Sequence, residues 1–233
     1  MENLPLFIKI IFIITTIVTM WLFYKASNNS KITVILMLSW VVVQSVISIS
    51  GFYTVLPATP PRFPLLILPP LLLIMGLFST LKGRQYIDGL NKKTLTILHI
   101  VRIPVEIVLF WLSIYKVVPE LMTLEGRNFD ILSGISAPII FYIVFYKRIL
   151  SNSLLLVWNI VCLGLLINIV INAVLSAPFP FQQFAFDQPN IAVLYFPFVW
   201  LPCCIVPIVL LSHLATIRQL MTEKKKNANY FNN

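Results

Sequence analysis

Seven apolar runs separated by short polar segments make up most of the chain, at approximately residues 5–24, 32–55, 64–81, 95–117, 131–147, 153–176 and 191–216. A helix needs roughly 20 apolar residues to cross the hydrocarbon core of a bilayer, and most of these runs reach that length. The pattern predicts an all-α polytopic membrane protein, a bundle of seven transmembrane helices. Residues 1–221 form a single membrane domain in this reading, and the polar, lysine-rich tail at 222–233 is expected to be disordered. The first run begins near Lys9, like a secretory signal, but it is long and no small-residue cleavage site precedes Lys25. It is therefore read as the first span. No repeat relates the two halves.

The polar segments set the orientation, because Lys and Arg concentrate in cytoplasmic loops. Lys25 and Lys31, then Lys82, Arg84, Lys92 and Lys93, then Lys147 and Arg148, then Arg218 and Lys224 to Lys226 occupy alternate connections and the C-terminal tail. The other connections hold only Arg62 and Arg127. This alternation predicts the N-terminus outside and the C-terminus in the cytoplasm. The outer connections are rich in Pro, aromatic and acidic residues: Pro57 to Pro64, Pro119 to Asp130, and Ala177 to Asn190. Proline restricts its own φ and the residue before it, so these loops are expected to be ordered caps.

Composition agrees with the pattern. Apolar residues are 59% of the chain and charged residues 11%, whereas soluble domains sit near 45–50% and about 25%. A net charge of +9 in a soluble protein would suggest nucleic acid, but here the basic residues lie between apolar runs and read as topology signals and lipid headgroup contacts. The lipid bilayer is the expected partner, with no nucleic acid, and the location is an integral, multi-pass protein of the plasma membrane if the source is bacterial. Cys162 and the adjacent Cys203 and Cys204 have neither redox nor zinc-ligand spacing, so they are expected to pack in the core. Neither cofactor nor metal is expected.

The fourth run departs from the apolar pattern. At 100° per residue, His99, Arg102 and Glu106 fall within about 60° of one another, and Ser113 shares their face. Arg and an acidic residue near the bilayer centre cost roughly 2.5–3.5 kcal/mol each, nearly cancelling the insertion energy of the run's apolar residues. The stripe must face partners: Arg102 with Glu106, or polar groups elsewhere, namely Gln44, Ser45 and Ser48 in the second run and Asn159, Asn168 and Asn172 in the sixth. Ionisable residues inside a membrane are functional candidates by default. His99 and His213 are the two histidines, both placed near the cytoplasmic side, where a shared haem or metal is a minor alternative to hydrogen bonding.

A second polar group lies in the outer loops: Arg62, Glu120, Glu125, Arg127, Asn128, Asp130 and Asp187. Its spacing does not match a calcium loop. An internal Arg127–carboxylate pair and an Asp130 cap on the fifth span are the structural alternative. Prolines punctuate several runs, and Pro197, Pro202 and Pro207, spaced by five, predict a bent, cavity-lining seventh helix. That run has no Lys, which excludes a retinal Schiff base, and no Pro-Gln dipeptide, HExxH or serine-nucleophile motif occurs.

These features favour a solute-binding or proton- or ion-linked transporter-like protein that uses the His-Arg-Glu stripe and takes a small-molecule or ion ligand. A receptor or interaction subunit working through its outer loops is the second reading. An intramembrane enzyme acting on a lipid ranks last, because no nucleophile or metal set supports it.

Overall fold

The computed structural model describes residues 4–55, 61–147 and 151–231. Among these residues the protein is all-helical, without strands. The helices are α1 (Leu6–Ala26), α2 (Lys31–Ile49), α3 (Pro64–Ser79), α4 (Leu81–Asp88), α5 (Lys92–Leu98), α6 (Arg102–Ile114), α7 (Ile131–Phe141), α8 (Asn152–Leu175) and α9 (Val206–Phe231). A 3-10 turn at His99–Val101 joins α5 to α6, a π turn at Tyr142–Tyr146 extends α7, and another at Leu201–Ile205 leads into α9.

Among the described residues, five helices are long and apolar enough to cross a membrane: Leu6–Ala26, Lys31–Ile49, Lys92–Ile114, Asn152–Leu175 and Leu201–Lys225. A sixth appears if α3 and α4, which meet at 95°, count as one broken span. The fifth run yields only the shorter apolar helix Ile131–Tyr146. Among the described residues five or six helices, and not seven, thus have the length of a span, although each apolar run does form helix. The seventh run starts its long helix about ten residues later than the hydropathy suggests, because residues 192–199 are 3-10, bend and turn. The tail expected to be disordered instead continues α9 as helix to Phe231. Pro57 to Pro60 of the first proline-rich connection and Arg148 lie outside the described residues.

Local chemistry explains the element boundaries. Ser30 accepts from the Thr33 amide at the start of α2, Thr80 from Gly83 at the start of α4, and Asn91 from Thr94 at the start of α5. The tight turn before α2 places Asn28 and Asn29 at φ 55° and 58°, a left-handed conformation that asparagine tolerates better than most residues. The charged segment Lys82–Arg84, which reads as a plain loop in sequence, sits in the short helix α4. That helix is pinned from both sides: the Tyr86 hydroxyl meets Thr33 at 3.0 Å, and Gln219 of α9 donates to the Ile87 and Leu90 carbonyls at 2.7 and 2.9 Å.

Burial ranks the helices. Within the apolar windows, 67% of the α9 segment and 56% of the α5–α6 segment is buried, against 22% of α2 and 28% of α8. The two central helices are therefore the ones that carry His213 and the His99–Glu106 stripe. The peripheral helices turn Ile14, Ile17 and Trp21 of α1, Leu38, Val42 and Val46 of α2, and Val157, Ile160 and Val161 of α8 outward. Such continuous exposed apolar surface is the opposite of a water-soluble exterior.

Proline leaves a mark that the bundle repairs. Pro207 has no N–H to offer the Cys203 carbonyl four residues earlier, and the Trp40 indole donates to that carbonyl instead at 2.9 Å. Gln44, placed among the stripe's partners by sequence, accepts from the Tyr53 hydroxyl at 2.6 Å and so locks the end of α2 to the turn that follows it.

Candidate functional site

Arg102 opens α6 and is 3% exposed. Its Nη1 lies 2.8 Å from Asp130 Oδ1 and its Nη2 3.0 Å from His213 Nε2, with the Cys162 carbonyl at 3.5 Å. The ion pair therefore forms with the residue that precedes α7, and not with Glu106 as the helical spacing suggests. Asp130 occupies the N-cap position of α7, but its carboxylate makes no capping bond and goes to Arg102 instead. Glu106, one turn further along α6, takes the Asn128 side-chain amide, 2.6 Å from each carboxylate oxygen. Asn128 also donates to the Met122 carbonyl at 3.0 Å and accepts from the Asp130 amide at 3.0 Å.

The stripe and the loop, two separate groups in the sequence, are thus one cluster. Residues 115–130 turn back into the bundle. Asn168 of α8 donates to the Arg127 carbonyl at 2.8 Å, seven residues before α8 ends at Leu175. At 1.5 Å per residue this places the loop about 10 Å below that end. Two glycines permit the approach. A Cβ on Gly126 would run into the backbone of Glu120 and Leu121, and one on Gly134 would meet Ile103 Cγ1 at 2.9 Å, where α7 crosses α6. The inward loop also explains the short α7, since Asp130 begins that helix at the level of Arg102 and leaves less bundle to traverse.

The two histidines meet. Their rings stack with centroids 3.8 Å apart and an interplanar angle of 16°, and Trp158 sets its edge against His99. Asn159 donates its amide to the Leu155 carbonyl, leaving its oxygen to accept from His213 Nδ1 at 2.9 Å. The ring proton is then on Nδ1, and Nε2 is free to accept from Arg102. His99 is fully buried, and neither ring nitrogen has a partner. Parallel stacking does not converge the nitrogens of the pair on one point. Among the described residues no group of three His, Cys, Asp or Glu side chains is placed to hold a metal ion.

This asymmetry carries a prediction. His99→Phe keeps the aromatic slab and removes two unsatisfied nitrogens, so the thermal midpoint in detergent should hold or rise. His213→Phe strips Arg102 and Asn159 of a partner each and should cost about 2–3 kcal/mol. Equal losses from the two variants would contradict the assignment.

The remaining sequence candidates lie apart from the cluster. Ser113, at the far end of α6, lends only its backbone carbonyl, to Gln188. Asn172 is buried and donates to Asn168 at 3.4 Å. Arg62 donates to the Phe52 carbonyl and lies over that residue's ring, 4.2 Å from its centroid. Glu120, Glu125 and Asp187 are exposed. Arg127 sits over the Phe184 ring at 5.5 Å in place of the expected carboxylate pair.

A cavity of about 180 Å³ adjoins the cluster. Arg102, Glu106 and Asp130 form one side, and Asn190 is the remaining polar residue among its walls. The rest is apolar: Phe63 just before α3, Ile67 of α3, Leu109 of α6, several residues of α8, and the start of α9. Pro202 and Pro207 both line it, as a cavity-lining seventh helix requires. Ile167 and Ile171 of α8 contribute to the wall yet are 48% and 51% exposed, so this side of the cavity faces the exterior of the bundle. Sequence patterning did not single out Asn190. Its only signal was an asparagine closing a loop that returns to an apolar run.

Residues 63–221, more than half of the chain, match a family described as a domain of unknown function, DUF8737. The chain belongs to this family. The DUF8737 segment contains the whole cluster, from His99 to His213, and the cavity walls from Phe63 onward, while α1 and α2 precede it. No curated protein matches the chain, and no solved structure does.

Proposed function

We propose that this is an integral, multi-pass membrane protein that binds a lipophilic small molecule in the cavity between α3, α6, α8 and α9, in a solute-binding or carrier role. The observation that carries the reading is the cavity itself, apolar on most of its surface and charged on one side. Pockets for small ligands have this composition, with a few fixed polar groups that orient the occupant. Charged side chains at the core of an apolar bundle are costly and mark ligand or ion pathways more often than scaffolding. The receptor reading has less behind it, since Asn128 and Asp130 of its loop turn inward.

In the membrane, all seven apolar segments take part. The segment Ile131–Tyr146 spans only about 24 Å of a core near 30 Å. The inward loop at 115–130 fills the remainder, and its polar backbone is sheltered by protein, the condition under which irregular chain is tolerated at that depth. The N-terminus is outside and the C-terminus cytoplasmic, with α4 lying along the inner surface where Lys82 and Arg84 meet headgroups. The three native cysteines are buried, so single cysteines introduced at Lys82 and Glu125 can be labelled against a low background. An impermeant maleimide should label the Glu125 position in intact cells and the Lys82 position only after lysis. The reverse would invert the topology.

Ligand binding is tested by solvent extraction of protein purified from its native membrane, compared with an Ala173→Phe variant that fills the cavity. A stoichiometric small molecule depleted in the variant is expected. Identical extracts would overturn the reading. Reconstituted flux that responds to Glu106→Gln would distinguish a carrier from a static binder.

A further inference from the structure

The polar side of the cavity is unbalanced. Its charged residues are one base, Arg102, and two acids, Glu106 and Asp130. Arg102 is already neutralised: one terminal nitrogen faces Asp130, the other faces His213, and both partners are buried. Its charge is therefore matched within the protein by Asp130, and the polar side of the cavity keeps one net negative charge. Glu106 has only the neutral Asn128 amide as hydrogen-bond partner. A carboxylate beside apolar walls with no cation of its own is an electrostatic vacancy for one.

An independent observation points the same way. Asn190 is fully buried and lines the cavity, and its amide nitrogen donates to the Ala173 carbonyl at 3.2 Å. That bond fixes which end of the amide is oxygen, and this oxygen has no donor. Buried acceptors without donors are rare and costly, and a ligand N–H would satisfy this one. Beside the Asp130 carboxylate already paired with Arg102, the cavity therefore offers Glu106 and Asn190 as acceptors, and no uncompensated cation.

We propose that the occupant is an amphiphile with a cationic, hydrogen-bond-donating head, in its simplest form a primary alkylammonium. The nitrogen sits against Glu106 and Asn190, and the chain lies along the apolar walls of α3 and α8. The proposal rests on the reading of this cavity as a ligand site and specifies what it takes. An apolar cavity of roughly 150 Å³ accommodates a benzene-sized guest, so 180 Å³ takes a head and a short hydrocarbon segment. Anything longer leaves past Ile167 and Ile171, on the side that faces the exterior.

The test uses full-length protein in phosphatidylcholine nanodiscs with three probes of equal chain length: octylammonium, octanol and octanoate. Affinities come from thermal stabilisation against free probe concentration, with the cavity-filled Ala173→Phe protein as the reference for partitioning into lipid. Octylammonium should bind about tenfold or more tighter than octanol, with octanoate weakest, since a charge-assisted bond replaces a neutral one. Glu106→Gln, nearly isosteric, should erase the preference for octylammonium over octanol. Asn190→Leu should weaken octylammonium several-fold. Octylammonium binding no tighter than octanol, or a preference untouched by Glu106→Gln, overturns the cationic head and leaves the cavity reading standing. No probe stabilising the native protein more than Ala173→Phe overturns the ligand site itself.

Discussion

Arg102→Met alone should destabilise the protein by about 3–5 kcal/mol, and Arg102→Met combined with Asp130→Asn should recover most of that loss. The single change leaves Asp130 buried at 5% exposure with no cation, and it deprives His213 Nε2 of its donor. Removing one partner of a buried pair costs far more than removing both, because the stranded charge keeps its desolvation penalty. Asp130→Asn alone strands the guanidinium, though Glu106 one turn away offsets part of the cost, so its loss should be the smaller of the two. Unfolding of the four proteins of this cycle in one detergent, followed by tryptophan fluorescence, gives the coupling energy directly. Additive single losses would show that Arg102 and Asp130 do not depend on each other and would remove the ion pair as the link between α6 and α7.

How much of this was legible in the sequence follows from which interactions are local. The polar face of His99, Arg102 and Glu106 was visible because helical periodicity is a property of one segment, and the 3-10 turn at His99–Val101 does not disturb it enough to matter. The lining role of Pro202 and Pro207 was legible from the spacing of the prolines, but Pro197, grouped with them, lies in the turn before the helix and does not line the cavity. The choice of Asp130 over Glu106 as partner to Arg102 was not, because it depends on residues 115–130 folding back beside α6, which no periodicity encodes. Spacing along one helix favoured an Arg102–Glu106 pair, but Arg preceding Glu by four residues is the weaker orientation, and a carboxylate from another element won. Helix lengths departed from the apolar runs for a related reason. Hydropathy measures the length of an apolar run and not whether the helix in it starts late, as α7 does after the inward loop, or whether the run breaks at 95°, as between α3 and α4. His213 was matched to His99 by depth alone, and ring stacking is what that match became.

Asn128→Leu should cost about 3 kcal/mol and release the 115–130 loop. The residue is fully buried, and its side chain holds four atoms at once: both Glu106 oxygens, the Met122 carbonyl and the Asp130 amide. Leucine matches its size and satisfies none of them, so Glu106 becomes a buried carboxylate with no hydrogen bond and the two backbone groups lose their partners. Exposed neighbours provide the control, since Glu125→Gln and Arg127→Gln should stay within about 0.5 kcal/mol. Loop release is read separately from stability, by the labelling rate of a cysteine at Thr123, which is 1% exposed in the folded protein. That rate should rise strongly with Asn128→Leu. Adding Glu106→Leu should restore much of the stability, because it removes the stranded carboxylate, but labelling should stay fast, because the Met122 and Asp130 bonds remain broken. If the double variant also restored slow labelling, Asn128 would serve only to neutralise Glu106, and the loop would be held down by Arg102 and Asp130 alone.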